Sequence, residues 1–210
     1  MPNILEPETP RLRLRRWKPE DKTPFARMNA DPQVMEFFPA PLSRAESDAM
    51  ADRCAALVEQ RGWGFWAVEC KGICPFIGFV GLHVPQTQLP FSPCVEVGWR
   101  LAAGHWKRGY ATEAARAALE AGFVRLGLKE IVAFTAVSNT RSQAVMHRLG
   151  MTRDSFFEHP ALPRGHALRR HVLYRLTLGA WESLQNAAGI SKIRKRRCAG
   201  YALSLPSGGS

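Results

Sequence analysis

No stretch of this 210-residue chain is apolar over the ~18 residues that a bilayer-spanning helix needs. The longest apolar run, Ile73–Leu82, is interrupted by Pro75, Gly78 and Gly81, so no membrane partner is expected. An apolar signal region is also missing. The first residues carry Glu6 and Glu8 instead, and a cytoplasmic protein is expected. Cysteine is scarce: there are five, an odd count that argues for reduced thiols rather than a disulfide framework. Cys70-x-x-x-Cys74 resembles half a zinc site, but no second pair completes it, so no metal is expected. Acidic residues are in deficit, 18 against 29 Lys and Arg, which gives a net charge of +11. Five of these charges sit in Lys192–Arg197, leaving six elsewhere. A basic domain suits an anionic ligand, and equally a nucleic acid or the ribosome. The preferred reading of the run itself is a solvated tail. The hydrophobic fraction of 46% is enough for a real core, and the length suits one domain.

The most informative segment runs from Val95 to Ala114. It reads as a strand, then a basic loop with Gly104 and Gly109, then the start of an alanine-rich helix. A helix N-terminus carries free N–H groups and partial positive charge, so anionic phosphate binds there. Gly109 has no Cβ to block a ligand, and Lys107 and Arg108 add charge. Gly104-x-x-x-x-Gly109 is followed by Tyr110 and Ala111 rather than Lys and Ser/Thr, which excludes the P-loop of nucleoside triphosphate enzymes. Gly62-x-Gly64-x-x-Ala67 imitates a dinucleotide site, but the following residues alternate like a strand and do not open a helix.

Elsewhere, Arg11–Trp17 alternates Leu12 and Leu14 with arginines, the pattern of a half-buried strand. Pro19, Glu20 and Asp21 open a helical stretch that Asp31-Pro32 interrupts. Ser43-x-x-Glu46 is a capping box before a helix from about Ala45 to Gln60, ended by Gly62. Strands are expected at Gly64–Cys70, Phe76–His83 and Val95–Leu101. A helix from about Tyr110 to Leu126 presents Ala111, Ala114, Ala115, Ala118 and Gly122 on one face. Glu130–Val137 is a buried strand, Ser138-Asn139-Thr140 caps a helix ending at Gly150, and two strands follow at Met151–Glu158 and Ala167–Leu178. Composition turns loose after Trp181. A domain over 1–188 and a basic tail without fixed structure over 189–210 are expected.

Several of these strings resemble one family. Trp106-x-x-Gly109-x-Ala111 is similar to the acyl-CoA pyrophosphate loop of the GCN5-related N-acetyltransferase (GNAT) superfamily, with Trp106 where the family has Gln or Arg. The longer string through Glu113 and Ala114 looks like the RimJ/RimL-type branch, as do Thr9–Arg15, Ile77–Leu82 and His171–Leu176. The resemblance covers about residues 9 to 180. It implies an α/β fold with a mixed, mostly antiparallel central sheet flanked by helices and splayed between its fourth and fifth strands. It also implies an acyl-CoA N-acyltransferase that moves acetyl from acetyl-CoA to a primary amine by direct attack, without a covalent enzyme intermediate.

By the same resemblance, Val97, Gly98 and Trp99 offer main-chain groups to the pantetheine arm and thioester, and Arg108, Gly109, Tyr110, Ala111 and Thr112 cradle the pyrophosphate. Thr112 also reads as a simple N-cap. Glu96, entering the loop on the same strand, is a candidate base, since a part-buried carboxylate has a raised pKa; an ion pair with an arginine is the alternative. Asn139 and Ser142 form the family's Asn-x-x-Ser. Asn139 is explained by capping alone, and the resemblance adds a CoA contact. Ser142 is a candidate proton donor to the leaving thiolate, because Met146 stands where many relatives have tyrosine.

His159, His166 and His171 have no metal-ligand spacing, and the loop around them is expected near the acceptor. Trp66 and Trp99 are expected beside the cleft. The acceptor amine, a protein N-terminus or a small molecule, stays open, as does a homodimer. The alternative function is a catalytically weak binding protein associated with nucleic acid or the ribosome through the basic tail.

Overall fold

In the computed structural model, which describes residues 3–187, the capping box folds as expected. The Ser43 N–H donates to Glu46 Oε2 at 2.8 Å, and the Glu46 N–H donates back to Ser43 Oγ at 3.3 Å. This sets the start of α3 (Arg44–Arg61), and Gly62, at φ +80°, ends it. Before it lie β1 (Leu12–Arg15), a short 3-10 turn at Pro19–Asp21, α1 (Lys22–Ala30) and α2 (Pro32–Met35). After it come β2 (Phe65–Cys70), β3 (Cys74–His83), β4 (Glu96–Leu101), α4 (Tyr110–Glu120), β5 (Glu130–Ala136), α5 (Thr140–Arg148), β6 (Thr152–Glu158), β7 (Arg170–Thr177) and α6 (Leu178–Ala187).

The strands form one seven-stranded sheet in the order β1-β2-β3-β4-β5-β7-β6. All neighbours are antiparallel except β4 and β5, which run parallel. The small-residue stripe of α4 explains how it lies on the sheet: Ala114, Ala115 and Ala118 are fully buried in the main core with Val80, Val97 and Ile131. Gly122 is required by packing, since a Cβ there would stand 2.6 Å from Ile131 Cδ1. On the opposite face α1–α3 cover a smaller core of Phe25, Met28, Phe76 and Phe79. The sheet therefore has helices on both faces.

Three readings change. The helix expected to reach Leu126 widens into a π-type turn over Ala121–Arg125. The arginines of β1 are not all solvated: Arg15 is buried and grips Asp21 through two hydrogen bonds, at 2.8 and 2.9 Å, with Glu69 at 3.1 Å. Charge compensation makes that burial tolerable; Glu20 and Asp21 stand in the first turn after Pro19 as expected, but that turn is 3-10, and α1 begins only at Lys22. The chain after Trp181 continues as helix to Ala187, because Trp181 stacks on Phe123 with ring centroids 5.6 Å apart. The tail expected over 189–210 lies outside the described residues.

Candidate active site

The sheet contains a gap. β4 and β5 are in register only at Glu96 opposite Val132, where the Val132 N–H also donates to Val95 C=O at 2.9 Å. Beyond that point they diverge toward their carboxyl ends, and the N-termini of α4 and α5 flank the opening. Ligands of parallel strands collect at such carboxyl-end crevices. One bank carries unused main-chain donors. Ala102 N–H donates to Ile77 C=O at 3.0 Å, within the β3–β4 register. Antiparallel strands alternate the neighbour they bond, so Glu96, Gly98 and Arg100 bond β3, whereas Val97, Trp99 and Leu101 face β5. Val97 sits at the contact point. Trp99 and Leu101 present N–H groups to the gap with no strand opposite. Of the three residues expected to offer main-chain groups, Val97 and Trp99 turn theirs to the β5 side, Trp99 past the strand contact together with Leu101, while Gly98 faces β3.

Glu96 stands at the apex of the gap. Its carboxylate has no hydrogen-bond or ion-pair partner among the described residues, so the arginine pairing weighed for it is not formed. Desolvation by burial pushes its pKa up to about 8. A carboxylate in this range ionises near neutral pH, where a general base is most effective.

The loop after β4 has an unusual backbone. Lys107 adopts φ +61° and Gly109 φ +79°. Glycine tolerates that region and lysine rarely enters it. Left-handed residues in such a turn let successive N–H groups converge, which makes an anion-binding concavity. Gly109 is the N-cap of α4, and no side chain caps that helix. The N–H groups of Tyr110, Ala111 and Thr112 therefore have no capping oxygen. The N-cap reading of Thr112 is corrected, since it occupies the third helical position. Arg108 is exposed, and its carbonyl accepts from Arg11 Nη1 at 3.0 Å. The Tyr110 ring is buried in the core, so only its main chain is available. A cavity of about 740 Å³ opens between this turn, the outer face of α4 and the N-terminal segment; Lys107, Arg116 and Arg148 line it together with Glu8, Glu113 and Glu120.

On the other bank, Asn139 caps α5: its Oδ1 accepts from the Ser142 N–H at 3.1 Å. Its Nδ2 donates to Thr135 Oγ1 at 3.0 Å and to Ser142 Oγ at 3.2 Å. Capping thus accounts for Oδ1, and the hydroxyls of Thr135 and Ser142 account for Nδ2. Because Ser142 Oγ accepts from Asn139, its own O–H is left to donate elsewhere. Met146, at the position where tyrosine was considered, is buried in the core. One feature across the mouth was not read from sequence: Arg141 pairs with Glu36 and lies over the rings of Trp106, at 4.8 Å, and Phe37, at 5.2 Å. It ties the α5 bank to the β4 loop and to the segment after α2. Trp106, in turn, donates its Nε1–H to Leu101 C=O at 2.7 Å.

Trp66 is corrected: it is fully buried in the main core, away from any cleft, whereas Trp99 is half-buried against the same core. The rings of His159 and His171 lie 4.9 Å apart at a tilt of 45° beside Phe157 and Phe134, and His166 accepts from the Leu168 N–H instead. Cys70 is buried, and Cys74 donates to Phe76 C=O.

The family described as "Acetyltransferase (GNAT) domain" matches residues 11–152. The FsC-acetyl coenzyme A-N(2)-transacetylase of Aspergillus fumigatus is 31% identical over 190 residues, 86% of this chain and 78% of that protein. A solved acetyltransferase from Agrobacterium tumefaciens is 28% identical with a TM-score of 0.66, covering 84% of this chain and 96% of its own. A ribosomal L7/L12 alpha-N-protein acetyltransferase solved in complex with coenzyme A shares the fold at 17% identity, with a TM-score of 0.65 over 83% of this chain and 98% of that one.

Proposed function

The chain belongs to the GNAT family and is an N-acetyltransferase, and we propose from this premise that it transfers acetyl from acetyl-CoA to a primary amine within the β4–β5 gap. The observation that carries the proposal is Glu96, an unpaired carboxylate with its pKa near 8 at the apex of that gap. In this reading the pantetheine arm lies along β4, and the pyrophosphate rests on the N–H groups of residues 109–112. The amine nitrogen attacks the thioester carbonyl carbon. The oxygen gathers negative charge toward the N–H groups of Trp99 and Leu101, which stabilise it electrostatically. The amine proton passes to the Glu96 carboxylate, directly or through a water. The C–S bond then breaks, and the thiolate takes a proton from Ser142 or solvent. The donor named in the Aspergillus relative, acetyl-CoA, supports this choice of acyl group.

Thiol release from acetyl-CoA across a panel of amines, including peptide N-termini and small diamines, tests the proposal. We expect turnover with at least one acceptor, rising with pH through about 8 as Glu96 ionises. Silence from the whole panel at pH 8.5 and millimolar donor overturns it.

We assign acetyl transfer to residues 1–188 and give the basic run Lys192–Arg197 no part in it. Deleting 189–210 is expected to leave the acetyl-CoA dissociation constant within about twofold. Any salt-dependent polyanion binding disappears with it, since it rests on counterion release by those charges. A deletion that abolishes acetyl-CoA binding contradicts the assignment.

A further inference from the structure

The N-terminal segment reaches across to the phosphate loop, a contact between residues about a hundred positions apart. The Arg11 guanidinium donates from Nε to Glu113 Oε2 at 2.6 Å and from Nη1 to Arg108 C=O at 3.0 Å. Its Nη2 lies 2.5 Å from the same carboxylate oxygen. The Arg11 main-chain N–H and the Thr9 hydroxyl both donate to Glu113 Oε1, at 3.2 and 2.5 Å. Arg11 also lies 4.8 Å over the Tyr110 ring. Burial alone would raise the Glu113 carboxyl, but the Thr9 and Arg11 donors outweigh it and hold the pKa below its ordinary value.

Two consequences follow from elementary geometry and charge. The C=O of Arg108 and the N–H of Gly109 belong to one planar trans peptide and point in opposite directions. Fixing the carbonyl on Arg11 therefore fixes the orientation of the Gly109 N–H, which points the opposite way along the same peptide. Glu113, in the first turn of α4, suits the helix dipole, yet its charge opposes a second anion at the same end. Pairing with Arg11 cancels that opposition. Resting on the acetyl-CoA reading above, we propose that Arg11 and Glu113 are positioning residues that set the phosphate loop and make it electrically receptive to the pyrophosphate of CoA.

Calorimetric titration with acetyl-CoA and with S-acetylpantetheine, which lacks the pyrophosphate, tests this on the intact chain. Arg11→Met is expected to weaken acetyl-CoA about tenfold while S-acetylpantetheine binds wild type and variant alike. Arg11→Lys keeps the charge but cannot span both acceptors, and is expected to fall between. Adding Glu113→Gln to Arg11→Met recovers part of the loss, because the uncompensated charge is gone. Equal weakening of both donors, or unchanged acetyl-CoA affinity in Arg11→Met, overturns the clasp. A wild-type protein that binds no acetyl-CoA overturns instead the reading on which it rests.

Discussion

Glu96→Gln slows acetyl transfer about a hundredfold or more near neutral pH, the range expected for loss of a general base, and stabilises the protein in alkaline solution. The kinetic defect narrows as pH rises, where more of the acceptor amine is already free. The stability effect follows from proton linkage. Folded, Glu96 ionises near 8; unfolded, it ionises near the ordinary value of about 4.3. Below about pH 4 both states hold the proton. Between the two values the unfolded state has released it and the folded state has not, so wild-type stability falls as pH rises. Above 8 the loss is complete, on the order of 3–5 kcal/mol as an upper bound. Glutamine carries no such penalty. Thermal unfolding at pH 9 is expected to place the variant about 5–10 °C above wild type, with the difference vanishing near pH 4. A variant less stable than wild type at pH 9 would show that the carboxylate has an unrecognised partner. Undiminished transfer would remove Glu96 from the chemistry.

Gly109→Val is expected to lose acetyl-CoA affinity by more than tenfold while the far-UV spectrum stays that of a folded protein. The residue sits at φ +79°, where a Cβ costs about 1–2 kcal/mol and a β-branched residue more. The chain relieves that strain by leaving the left-handed region. This rotates the N–H groups of residues 109–112 out of convergence, and the loop is exposed enough to move without unfolding the core. Gly104→Ala is the control in the same loop. No atom lies within 4 Å of the added carbon there, and the backbone is not left-handed, so affinity is expected to stay within about twofold. Comparable losses at both glycines would point to general loosening of the loop rather than to a phosphate cradle.

The features legible in sequence were those set by neighbours along the chain. The Ser43–Glu46 box, the alanine stripe of α4 and the Asn139 cap each need only residues three or four positions apart, and each formed as read. The strand–loop–helix around Gly109 was legible for the same reason. The illegible features depend on contacts distant in sequence. Arg15 looked solvated because its compensating carboxylates, Asp21 and Glu69, are identified only once the sheet and turn are assembled. Trp66 looked like a cleft residue because amphipathic rings occur in both settings, and only the sheet register places it in the core. Glu113 entered as part of the family-like string and without its partner, because Arg11 is brought against it by β1 across about a hundred residues. The donors toward the gap were assigned to Val97 and its neighbours as a group; the register with β3 and β5 singles out Trp99 and Leu101.

The central claim is that acetyl-CoA occupies the gap with its phosphates on the turn before α4. Amide hydrogen exchange, resolved by residue with and without acetyl-CoA, tests this most directly. Free protein should exchange the amides of Trp99, Leu101 and residues 110–112 readily, because no strand or cap holds them. Acetyl-CoA should slow these amides together, and 110–112 should also respond to 3′,5′-ADP, which lacks the pantetheine arm. Protection confined to another surface, or no binding at millimolar acetyl-CoA, would contradict the account.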